Sequence, residues 1–160
     1  MIDKLHQINI TYSAREDRLL LRITTKKGDE YRIWLTRRFT TALNELLIRE
    51  MDKYGGIASV RENRQTKKLF KEGAFEKSFE EEKSVQYPLG EDGFLAFAIK
   101  STNTREGNLH LELLPERGKG VTMNLDKSLL YMFYHLLTHG IGRAEWHITT
   151  GFESSSMKVH

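Results

Sequence analysis

The chain has 160 residues, enough for one well-packed domain or for one domain built from two fused halves. Its 25 Lys/Arg against 22 Asp/Glu leave a net charge of +3, too small to mark a nucleic-acid binder by itself. Cysteine is absent, which excludes disulfides, thiolate metal sites and cysteine catalysis, and no apolar run approaches the roughly 20 residues of a membrane helix.

In chain order, Met1-Ile2-Asp3-Lys4-Leu5 lacks the basic stretch and apolar core of a secretory signal, so cytoplasmic residence is expected. Ile8, Ile10 and Tyr12 alternate with polar residues, the period of a half-buried strand. After the polar turn Arg15-Glu16-Asp17, a second strand puts Leu19, Leu21 and Ile23 on one face and Arg18, Leu20, Arg22 and Thr24 on the other. Lys26-Lys27-Gly28-Asp29 turns the hairpin, with Gly28 free to take a positive φ. Tyr31, Ile33 and Leu35 line the inner face of a third strand, leaving Arg32 and Trp34 outside. Thr36 is the expected N-cap of a helix whose stripe is Phe39, Ala42, Leu43, Leu46 and Leu47, stopped at Gly55-Gly56.

The stretch from Arg61 to about Lys77 reads as a helix interrupted near Gly73 and anchored by Leu69, Phe70 and Phe75. Phe79 to Tyr87 is a candidate strand before the Pro88-Leu89-Gly90 turn. A connector of this length is expected to be ordered at least in part.

The plan then recurs at an offset of ninety. Arg15-Glu16 returns as Arg105-Glu106, Leu19 and Leu21 as Leu109 and Leu111, Gly28 as Gly118, Leu35 as Leu125, and Leu46-Leu47 as Leu136-Leu137. Leu95, Phe97 and Ile99 supply a first strand, Leu109, Leu111 and Leu113 a second, and Val121, Met123 and Leu125 a third. Asp126 takes the N-cap, and Leu129, Met132, Phe133, Leu136 and Leu137 make the helix stripe, flanked by Tyr131 and Tyr134. The offset puts Lys100 opposite Ile10 on an inner face, so this first strand must slip by one residue or carry a bulge.

The expected class is therefore α+β: two βββα repeats related by pseudo-twofold symmetry and joined by a partly helical connector. The whole chain, 1–160, is read as one domain made of repeat 1 (about 7–54), connector (55–93), repeat 2 (94–147) and a frayed tail (148–160) holding Ser154-Ser155-Ser156.

The outer sheet face of repeat 1 carries the strongest functional pattern. Arg18, Arg22, Arg32 and Trp34 interleave cations with an aromatic ring, which suits the phosphates and bases of a single strand. Two readings stay open: Trp34 stacks a base, or it packs beneath the connector while the arginines solvate the sheet. The matching positions of repeat 2, Asn108, His110, Glu112, Thr122 and Asn124, repeat neither the charge nor the indole. Residues 1–54 carry eleven Lys/Arg against eight acids, so the basic excess lies in the first repeat.

The two fused sheet-then-helix units, residues 7–54 and 94–142, resemble the single-stranded-DNA-binding Whirly proteins. That resemblance implies a nucleic-acid-binding role, although this chain has three clear strands per unit where the family has four. Tyr31-Arg32-Ile33-Trp34-Leu35-Thr36-Arg37-Arg38 is also similar to uncharacterised bacterial proteins, a likeness that implies no activity.

His135 and His139, four apart on a helix, have the spacing of a helical metal pair, with His147 as a conceivable third ligand. The intervening Leu136-Leu137-Thr138 lacks the glutamate of a metalloprotease motif, so no metal site is assigned. No Walker loop, dinucleotide fingerprint or nucleophile elbow occurs. The expectation is a non-enzymatic binding module without a cofactor, its partner single-stranded DNA or RNA, and not a membrane. The alternative is a protein-interaction module or a homodimer acting through the wide apolar face of the second helix.

Overall fold

Residues 5–71 and 85–148 are described by the computed structural model. Alternating apolar residues form β1 (Leu5–Ser13), β2 (Arg18–Thr25) and β3 (Glu30–Leu35) as an antiparallel meander. Thr36 then caps α1 (Arg37–Asp52), its hydroxyl accepting from the Phe39 amide at 3.1 Å. Two short helices follow, α2 (Ile57–Arg61) and α3 (Arg64–Lys71). The next strands are β4 (Phe94–Leu95), β5 (Ala98–Asn103), β6 (Leu109–Leu114) and β7 (Val121–Leu125), and α4 (Lys127–Ala144) closes the order. Asp126 caps α4, accepting from the Leu129 amide at 2.9 Å.

The class is α+β, with two sheets and four helices among the described residues. One sheet has the order β1-β2-β3-β4, with β4 parallel to β3, and the other is β5-β6-β7. Leu19 pairs with Leu35 and Leu21 with Ile33; ninety residues on, Leu109 pairs with Leu125 and Leu111 with Met123. The turns at Gly28 and Gly118 both use positive φ. The slip expected in the second first-strand is present. Tyr12 faces Leu19, but Asn103 instead of Thr102 faces Leu109, because the turn 104–108 is one residue longer than 14–17. Lys100 accordingly leaves the inner face and is exposed.

One correction concerns Leu95, Phe97 and Ile99, expected as a single core-facing strand. Leu95 belongs to the first sheet through β3, and Ile99 to the second through β6. Leu95 and Phe97 are exposed and Ile99 is half-buried. The connector also differs: Gly55-Gly56 ends α1 but is followed at once by α2, which buries Val60. The expected break at Gly73, the anchor Phe75, most of the candidate strand Phe79–Tyr87 and nearly all of the tail lie outside the described residues.

A single cluster of buried apolar side chains joins the two sheets and both long helices. Tyr131, Phe133 and Tyr134 of α4 are all buried in the interior, while Leu129 and Leu136 of its stripe are half-buried. No helix among the described residues is long and apolar enough to cross a membrane.

The end of α4 is tied to the first hairpin by one carboxylate. The Tyr12 hydroxyl donates to Asp17 Oδ1 at 2.6 Å and the Trp146 indole donates to the same oxygen at 2.9 Å. These bonds, Tyr12 first, lower the Asp17 pKa from its ordinary value of 3.8. A lowered carboxylate pKa stabilises the fold above the unfolded value and stops doing so as pH falls through the folded one. Asp17→Asn keeps a residue that tolerates the left-handed backbone at this turn, φ 51°, and removes the charge. Its urea midpoint is expected to lie below wild type at neutral pH and to converge with it as pH falls through the lowered pKa of the folded Asp17 carboxyl.

Candidate functional site

The outer face of the first sheet brings Arg22 and Arg32 together, with Trp34 two residues along β3, though not as free groups. Arg22 and Arg32 are cross-strand partners, and Glu30, two residues before Arg32 on the same face, sits between their guanidinium groups. Arg22 Nη2 donates to Glu30 Oε1 at 3.3 Å and Arg32 Nε to Glu30 Oε2 at 2.5 Å. The Glu30 side chain is 2% exposed.

Residues 85–93 run beside β3 and bond the outward side chains of Arg32 and Trp34. Glu30 donates its amide to the Gln86 carbonyl at 2.8 Å, and Gln86 donates back to the Gly28 carbonyl at 3.0 Å. Arg32 lies 4.9 Å from the centre of the Tyr87 ring and donates to the Glu91 carbonyl at 3.1 Å. The Trp34 indole donates to the Asp92 carbonyl at 3.1 Å. Gly93 passes so close to the Arg32 carbonyl that a Cβ there would collide with it. Arg18 is half-buried at the far end of β2, opposite Ser13. Arg22, Arg32 and Trp34 are thus engaged by the protein's own carboxylate and backbone, and the segment beside Arg32 and Trp34 is 85–93. Glu30 directly follows the Lys26-Lys27-Gly28-Asp29 turn and was not singled out; its strand parity with Arg32 was the available signal.

His135 and His139 do meet, with ring centroids 4.3 Å apart, and Phe70 packs edge-on against His135 at 5.1 Å. His147 is exposed beyond the helix. Among the described residues, no three His, Cys, Asp or Glu side chains converge on one point.

The open apolar surface lies elsewhere. Leu95 and Phe97 are the exposed large hydrophobics among the described residues, at 41% and 67%. They line a groove of about 590 Å³ with Ala96 and Ile99 on one side and Arg38, Phe39 and Ala42 of α1 on the other.

Backbone bonding explains its position. Ala96 donates to the Trp34 carbonyl on one strand edge, and Phe97 donates to the Leu114 carbonyl on the opposite edge. Among the described residues, the edge of β5 on the β3 side has no strand partner. Because α1 begins where β3 ends, its first turns line the groove opposite Leu95, Ala96, Phe97 and Ile99. Helix α1 and β5 come together at the far end, where Asn103 Nδ2 donates to Glu50 Oε2 at 3.0 Å and Lys53 donates to both residues.

The contrast with the other long helix is informative. Helix α4 seats on β1 and β2 through Gly140, where even a Cβ would lie 3.0 Å from Ile10 Cγ2. Ninety positions earlier, α1 has Glu50, and in place of Ile10 and Tyr12 the slipped β5 offers Ser101 and Asn103. One helix–strand contact is dry and close; the other is polar and stands open at its upper end. No protein-family model, curated protein or solved structure matches this chain.

Proposed function

We propose that this protein is a non-enzymatic protein-interaction module that binds its partner in the groove between α1 and β5. The observation that carries the reading is the exposure of Phe97 and Leu95 at the mouth of a formed apolar groove. Burying a side chain of this size contributes about 1.5–3 kcal/mol, so leaving two in water is costly unless a partner covers them. The reading includes the architecture: two βββα units about a pseudo-twofold axis, supported by strand registers that recur ninety residues apart. The groove is then the place where the halves have diverged.

Single-stranded nucleic acid on the first sheet is the weaker reading, because Glu30 and Asp92 already engage Arg22, Arg32 and Trp34. Panning a phage-displayed random-peptide library on the intact chain, with Phe97→Ser as counter-selection, tests the proposal. Clones that bind wild type and lose Phe97→Ser support it. Clones that bind both equally, or no enrichment at all, overturn it.

A further inference from the structure

Resting on that reading, we infer that the groove takes an extended acidic–apolar segment of a partner protein, added as a strand to the open edge of β5. Three observations converge on this occupant. The first is the edge from Ala98 to Asn103, unpaired among the described residues, which offers main-chain donors and acceptors to an extended peptide. Alternate side chains of an added strand point to one face, where the apolar groove beside α1 lies.

The second is the charge on the rim. Arg38 lines the groove in the first turn of α1, a turn without any acidic residue. A cation there opposes the helix dipole and is disfavoured in the free protein. Arg38 has no ion pair among the described residues. Its neighbour Arg37 is exposed and acts electrostatically on Asp17, so Arg38 remains as the cation facing the groove. A carboxylate on the incoming segment would remove the conflict with the dipole and form a charge-assisted hydrogen bond.

The third is the shape of the strand itself. Its exposed half is polar, Lys100-Ser101-Thr102-Asn103, and Lys100 protects the edge against indiscriminate pairing with apolar strands. An acidic segment meets Lys100 and Arg38 favourably, whereas a purely apolar or basic one does not. The apolar anchor then falls at Leu95, Phe97, Phe39 and Ala42, and the acidic groups fall on either side of it.

The probes are fluorescein-labelled, acetylated octapeptides with Leu or Phe at alternate central positions and Asp or Glu at the flanking ones, and the same peptides with Asn/Gln or Lys at the acidic positions. Anisotropy is read on the full chain, on Phe97→Ser, on Arg38→Glu and on Arg38→Ala, each checked for an unchanged melting curve. The acidic peptides are expected to bind about tenfold more tightly than the amide series. Binding falls about tenfold in Phe97→Ser, and Arg38→Glu prefers the Lys series. Methylating alternate peptide amides should abolish binding in one phase and leave it in the other, as strand addition requires.

Equal binding of all three series, with loss in Phe97→Ser, would overturn the acidic partner but leave an interaction groove. Absence of binding by every series would remove both. Self-association of the free chain that Phe97→Ser abolishes would identify a second copy as the occupant and overturn this inference alone.

Discussion

Replacing Arg22 and Arg32 together with Met is expected to lower unfolding stability by about 2–4 kcal/mol, read as a shift in urea midpoint at constant slope. The loss arises from Glu30. Its side chain is 2% exposed and both oxygens are held by those guanidinium groups, so removing the cations strands a carboxylate in a place water does not reach. Met retains the aliphatic stems that cover the sheet, which isolates the charge from the packing. The arginine side chains are themselves 15% and 23% exposed, which is why the expected loss lies below that of a fully enclosed pair.

Either single replacement should cost about 1 kcal/mol, since the remaining guanidinium still reaches the carboxylate. Adding Glu30→Met to the double variant should recover most of the stability, because an apolar triad of similar volume needs no counter-charge. If the arginines instead serve mainly to meet a polyanion, the double variant stays within about 0.5 kcal/mol of wild type and Glu30→Met restores nothing. The same cycle therefore distinguishes a structural sheet face from a ligand-binding one.

The residues differ in how much of this was legible beforehand. Strand parity and capping chemistry are local, so Leu19, Leu21 and Ile33 on the core face, and Thr36 and Asp126 as caps, follow from the sequence without any tertiary information. The misfit of Lys100 with the ninety-residue offset was enough to require a slip, because one residue of register exchanges the two faces of a strand.

What escaped is non-local. The β3–β4 pair has two rungs between residues about sixty apart, and a two-residue strand has no period to detect. The bonding of Arg32 and Trp34 to residues 85–93 depends on that segment running beside β3, which no pattern in either segment announces. Leu95 and Phe97 have the parity of core residues in a single strand, but Leu95 pairs with the outward-facing Trp34 on β3 and Phe97 lies at the changeover from one sheet to the other.

Gly140→Leu is expected to cost about 3 kcal/mol or more, the upper range for forcing a large side chain into a filled core. A Cβ at this position already lies 3.0 Å from Ile10 Cγ2 and 3.2 Å from Leu19 Cδ1, and Ile10 and Leu19 are 5% and 0% exposed. Neither can swing into solvent, so α4 must lift from β1 or the hairpin must shift. Gly140→Ala isolates the two opposing effects. The helix gains about 1 kcal/mol in intrinsic propensity, and the contact loses a similar amount by crowding, so the midpoint should barely move.

Gly142→Ala is the control, since nothing lies within 4 Å of its missing Cβ, and it should gain up to about 1 kcal/mol. A Leu at position 140 that leaves the melting curve unchanged would mean that α4 does not seat on β1 in solution. The contrast between one closed and one open helix–strand contact, on which the groove depends, would then disappear. Conversely, a large loss at Gly140 combined with tolerance of Phe97→Ser would locate the rigid part of the molecule on the β1–α4 side. It would leave the α1–β5 side as the half whose surface is available to a partner.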